Sequence, residues 1–134
     1  MTNIERLYYA LGEVAYAIAK ADGTIQKEER QKLHLILEEE FKKHKSGFDF
    51  TEIIFQILAK EGMDSKTAYG WALKEIRLNS QYVSETLKQH FISTIKKVAE
   101  AFPPVERSER ELIDDFIYQL KSVKGDDVFS SQTE

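Results

Sequence analysis

Ala15-Tyr16-Ala17-Ile18-Ala19-Lys20-Ala21-Asp22-Gly23-Thr24-Ile25-Gln26-Lys27-Glu28-Glu29-Arg30 is the stretch whose reading decides the fold. Its first part continues an apolar stripe, Ile4, Leu7, Tyr8, Leu11, Val14, Ala15 and Ile18, at the three- and four-residue spacing of one helix face. Asp22-Gly23 interrupts the stripe, and Gly23 is suited to a left-handed helix stop. One aliphatic residue follows, Ile25. Then Glu28 and Glu29 supply the negative charge that a helix N-terminus favours. The stretch therefore reads as helix, tight turn, helix, with a first helix over 3–21 and a second over 26–43 that turns Leu33, Ile36, Leu37 and Phe41 inward.

Working outward, Ser46-Gly47-Phe48-Asp49-Phe50 has the composition of a loop. A short helix over 51–60 follows, carrying Ile53, Ile54, Ile57 and Leu58. After Glu61-Gly62-Met63-Asp64, with Asp64 or Ser65 as cap, a helix to Leu78 presents Ala68, Trp71, Ala72 and Ile76. A long helix over 84–102 presents Leu87, Phe91, Ile95, Val98 and Phe102. Pro103-Pro104 ends it, because a residue preceding proline is pushed out of helical geometry. The last helix, 107–123, carries Leu112, Ile113, Phe116, Ile117 and Leu120. Residues 124–134 are polar and aperiodic and read as a flexible C-terminal tail. The expected architecture is one all-α domain over 1–123, a compact bundle of about six to seven helices.

A shift of 80 residues lays Ala15, Ile18, Ala19, Ala21, Ile25, Glu29, Arg30, Leu33, Ile36 and Leu37 over Ile95, Val98, Ala99, Ala101, Val105, Glu109, Arg110, Ile113, Phe116 and Ile117. Each half is then a helical hairpin with an aliphatic plug in its bend, Ile25 or Val105, and acid at the start of its second helix. The match implies two halves related by internal duplication.

Asp22-Gly23-Thr24-Ile25 and Glu29 have the spacing of the second half of a calcium-binding EF-hand loop. Its first half would place Ile18 and Lys20 where calcium needs oxygen donors, so an EF-hand is excluded. Ala21-Asp22-Gly23, Ile25 and Glu29 instead resemble the tellurite-resistance TerB-like family, whose helix–turn–helix units carry an Ala-Asp-Gly-x-apolar turn with Glu four residues on. The chain is also similar to the DjlA-type N-terminal helical domain. The resemblance implies a non-enzymatic bacterial module of stress or chemical-resistance systems. It further implies an acidic surface at the paired turns that takes a divalent cation (calcium, zinc or magnesium) or a protein partner. The candidate metal residues are Asp22, Glu28, Glu29 and Glu109. The second turn departs from the family pattern, with Phe102-Pro103 where Asp-Gly would stand, which weakens any such metal site.

Composition narrows the function classes. The chain has 134 residues, no cysteine and a net charge of −4. Thiol nucleophiles, disulfides and cysteine-ligated metals are excluded, and a reducing cytoplasm is the expected location. The longest apolar run, Val14 to Ala19, falls far short of the ~20 residues that span a bilayer. Negative charge argues against nucleic-acid binding; the basic cluster Lys42, Lys43, His44 and Lys45 suits a helix C-terminus. Among three histidines, His34 with Glu38 and Glu40 with His44 have the spacing of surface pairs. No phosphate-cradling glycine loop, Gly-x-Ser-x-Gly elbow or His-Glu-x-x-His zinc motif occurs, and Asp114-Asp115, adjacent on a helix, point apart. The alternative to a binding module is a homodimeric or scaffold domain that self-associates through apolar residues such as Tyr9, Phe48 and Phe50.

Overall fold

The computed structural model describes residues 1–21, 23, 25–42, 45–101 and 107–123, and in them the chain is helical with no strand. Among the described residues six α-helices follow in order: α1 (Asn3–Lys20), α2 (Lys27–Glu40), α3 (Lys45–Glu61), α4 (Ser65–Leu78), α5 (Glu85–Ala101) and α6 (Arg107–Ser122). A 3₁₀ turn at Ser80–Tyr82 joins α4 to α5.

Helix α1 is the axis of the bundle. It begins at a capping box, Glu5 N–H to Thr2 Oγ1 at 3.1 Å and Thr2 N–H to Glu5 Oε1 at 2.7 Å, which satisfies two otherwise orphaned donors. From Ala10 to Ala19 every residue is buried, and α3, α4, α5 and α6 all contact it. An apolar surface all round a helix is stable only when neighbours cover every side. Small residues let them come close. A Cβ on Gly12 would stand 2.3 Å from both the Thr51 carbonyl oxygen and Ile54 Cγ2 of α3.

This crossing corrects the reading of 46–50 as a loop: those residues form the first turns of α3. Gly47 marks a close approach rather than a break, since a Cβ there would lie 2.4 Å from the Tyr8 ring. Thr51 then fixes the register, its hydroxyl donating 2.8 Å to Tyr8 O and 3.1 Å to Gly47 O. With α3 set this way, its inner face is Thr51, Ile54, Phe55 and Leu58, while the apolar Ile53 and Ile57 beside them are 54% and 45% exposed. Trp71 is likewise 46% exposed, because α4 buries a narrow stripe of Ala68, Ala72 and Ile76. Tyr9, Phe48 and Phe50 do not form an exposed apolar patch; all three pack against the core.

Around the α1–α3 crossing the large rings interlock edge to face. Tyr8 lies 5.6 Å from Phe41 and 5.4 Å from Phe91, and His90 lies 4.9 Å from Phe41, an arrangement that adds to simple area burial. At the opposite end of α1, Tyr16 O–H donates to Met63 O at 2.6 Å and Ser65 Oγ–H to Ala17 O at 2.8 Å. Asp64 caps α4 by accepting from Thr67 N–H at 3.0 Å. Ile25, in the α1–α2 bend, packs against the core. Val105, Pro103-Pro104 and the tail 124–134 lie outside the described residues.

Candidate functional site

Three segments far apart in sequence meet where α1 ends. Lys20, Ala21 and Gly23 come from the α1–α2 bend, Asp64 to Lys66 and Tyr69 from the start of α4, and Glu111, Leu112 and Asp115 from α6. Between them opens a cleft of about 690 Å³. Each segment reaches it for a local reason. Gly23 N–H closes the bend on Lys20 O at 3.0 Å, and Gly23 holds φ +141°, a region in which only glycine is comfortable. That is not the αL stop near +57° that the sequence suggests, but it still requires glycine. On α6, Glu111 and Asp115 are four residues apart and so share a face.

The floor of the cleft is apolar, Tyr69 and Leu112, and the rim is charged. Asp64, Glu111 and Asp115 stand against Lys20 and Lys66, three carboxylates to two ammonium groups, leaving one net negative charge. The Tyr69 hydroxyl donates to Asp115 Oδ2, which ties α4 to α6 across the floor. Burial, followed by the Asp115 bond and charge, pushes the Tyr69 hydroxyl well above its usual range, so it stays protonated and donates at every physiological pH. Asp114 points away and is exposed.

The residues singled out in the sequence are distributed as follows. Asp22 lies outside the described residues, but its neighbours Ala21 and Gly23 both line the cleft. Glu29 Oε1 accepts the Gln26 backbone N–H at 2.8 Å, so this carboxylate caps its own helix. Glu28 is exposed, and Glu109 is fully buried at the third position of α6. Among the described residues no three His, Asp or Glu side chains are grouped to hold a metal ion, and Glu28, Glu29 and Glu109 are therefore not gathered into a ligand set by themselves. The pair His34–Glu38 forms, at 3.1 Å. His34 Nδ1 also meets Glu52 of α3, and this second bond is the main reason its pKa is raised.

One titratable group escaped the sequence reading. Glu13, in the centre of α1, is buried, and burial together with the charge of Glu75 raises its carboxyl to about 8. Glu75 is itself held by Arg6 at 3.7 Å and by Asn79 Nδ2 at 3.2 Å. Its signal was present: Glu13 is the one charged residue between Arg6 and Lys20. Lys66, Tyr69 and Glu111 gave no such signal, because only the tertiary fold brings them together.

Comparison with known protein families, with curated proteins and with solved structures finds no match. No helix among the described residues is long and apolar enough to cross a membrane.

Proposed function

We propose that this chain is a non-enzymatic TerB-like module of bacterial stress or tellurite-resistance systems, which docks a protein partner in the cleft beside the Ala21–Gly23 bend. The observation that carries the reading is the cleft itself: an apolar floor, a net negative rim, and the resemblance-bearing turn as one wall. A lysine or arginine side chain suits it, because the long aliphatic stem covers Tyr69 and Leu112 while the cationic head reaches the carboxylates. A divalent cation at Asp22 is the second ligand of the same turn.

The test is a nuclear magnetic resonance titration of the labelled chain with a lysine-rich amphipathic peptide and, separately, with calcium, magnesium and zinc chlorides. The partner reading expects peptide-induced shifts at Lys20, Gly23, Tyr69 and Leu112, which Glu111→Lys weakens. The cation reading expects a stabilisation of about 2.7 kcal/mol at 100 times Kd, abolished by Asp22→Asn. Shifts that map away from the bend, with neither ligand stabilising the chain, would remove both.

A further inference from the structure

The outer face of α2 presents an exposed leucine in an ordered frame of charge. Leu35 is 64% exposed and lines a shallow groove of about 440 Å³ between α2 and α5, floored by Ile36 and Ala101. The groove is edged by Lys32 and Lys97 and by Glu39 and Glu100, two positive groups and two negative. Residues seven apart share one stripe of a helix. On the stripe of Leu35 stands Glu28; on the adjoining stripe stand Lys32 and Glu39, and Lys42 follows in the turn after the helix. All are exposed.

We infer that a second copy of this chain docks on this face, its α2 antiparallel to the first and the twofold axis passing beside Leu35. Self-complementary charge order argues for this occupant and this direction. An isologous contact sets residue i against j and j against i. Antiparallel packing about a point between Leu35 and Ile36 brings Lys32 of one copy to Glu39 of the other, two bridges by symmetry. A parallel pair would set each charge against its own kind. In the single chain Lys42 pairs with Glu39 at 2.8 Å, but both side chains remain about two-thirds exposed, so the pair contributes little to folding and is available for exchange. Lys97, held by Glu40 at 2.6 Å, stays within its own chain. With one apolar anchor per copy, the contact belongs to the small, reversible class of interface, and it is screened by salt. None of its residues lines the cleft at the α1–α2 bend, so it stands independently of the function proposed there.

The chain has no cysteine, which makes cross-linking a clean test. Leu35→Cys under mild oxidation forms a disulfide dimer across the axis, while Ile53→Cys, also exposed on α3, does so much more slowly. In sedimentation equilibrium the wild-type mass rises with concentration from 15.5 kDa toward twice that value. Lys32→Glu weakens association by about tenfold, and Lys32→Glu with Glu39→Lys restores it, because the swapped pair keeps the complementarity. Circular dichroism checks that each variant remains folded, as substitution of exposed side chains implies. A mass that stays at 15.5 kDa up to about 1 mM, at the weak end of the affinity scale, overturns the inference. So does a dimer that ignores Lys32→Glu, or equal cross-linking at Leu35→Cys and Ile53→Cys.

Discussion

The two helix pairs, α1–α2 and α5–α6, are matched by the 80-residue shift in sequence but are covered differently. Helix α1 is buried along its whole middle, whereas α5 buries Leu87, Phe91, Ile92, Ile95, Val98 and Ala99 and keeps Lys96, Lys97 and Glu100 in water. The difference comes from α3 and α4, which lie between the pairs in sequence and both pack on α1. Under the 80-residue shift Gly12 falls on Ile92 and Glu13 on Ser93. Where α3 crosses α1 closely, the chain has the smallest residue; at the matching place on α5 it has a bulky, buried one. Between the pairs, α1 meets α6 as α2 meets α5. Within each pair the packing differs, because α5 packs directly on α6 whereas α1 and α2 make few close backbone approaches. The third-position glutamates sharpen the contrast: Glu29 caps its helix at the surface, while Glu109 is wholly buried.

The largest expected effect tests that contrast directly. Gly12→Ile, which copies into α1 the residue of the equivalent α5 position, drives a side chain into Thr51 O and Ile54. Overpacking commonly costs 1–3 kcal/mol; here the obstacle is backbone, so more than about 3 kcal/mol is expected by chemical denaturation. Ile92→Ala, at the matching buried site, should cost roughly 2 kcal/mol as an ordinary cavity. Equal tolerance at both positions would break the comparison.

Next in size is Glu13→Gln. The Glu13 carboxyl is raised from 4.5 to about 8 in the fold, so the folded chain holds this proton more tightly than the unfolded one. Stability then declines as pH rises between about 4.5 and about 8. Glutamine is neutral throughout and removes that slope. Thermal unfolding at pH 5 should scarcely separate the two proteins, while at pH 8 the variant should be the more stable by on the order of 2–3 kcal/mol. His34, whose pKa is also raised, adds a decline in the same direction in both proteins. Parallel pH profiles for wild type and variant would show that Glu13 is ionised in the fold at neutral pH.

How much of this was legible follows from which information is local. All six helices show in the periodicity, because each has a face that repeats every three or four residues. The start of α3 did not, because Ser46-Gly47 has turn composition and nothing nearby reveals that Gly47 is there to admit the Tyr8 ring. Periodicity alone does not separate Ile53, Ile57 and Trp71 from the buried positions, because a helix's apolar residues suggest a broad face. Which part of that face is covered depends on the angle at which α3 and α4 meet α1. The cleft was half visible: the bend announces itself through Asp22-Gly23, but its other walls come from residues 64–69 and 111–115, and no local pattern links them.

The bend itself supplies the next prediction. At Gly23 an added Cβ meets no atom within 4 Å, so space is not the constraint; backbone conformation is, with φ at +141°. Gly23→Val should therefore cost about 1–2 kcal/mol through strain alone, and Gly23→Ala nearly as much. A neutral result for both would mean that the bend relaxes to a negative φ without loss, and the cleft wall would no longer depend on glycine.

The smallest effect belongs to Glu29, and it bears on whether the acid of the first hairpin is structural or reserved for a ligand. Its Oε1 holds the Gln26 amide, the half of a capping box that a glutamate provides. Glu29→Ala should lower stability by roughly 0.5–1 kcal/mol, in the absence of any added metal. Glu29→Gln retains an acceptor oxygen for the same amide and should recover most of the loss, falling short only by the interaction of the charge with the helix N-terminus. Recovery by glutamine identifies the cap as the residue's main role in this hairpin. If both substitutions leave stability unchanged without metal, yet abolish a stabilisation seen when calcium, magnesium or zinc is added, the carboxylate serves a ligand, and Glu29 and Glu109 differ in task as well as in burial.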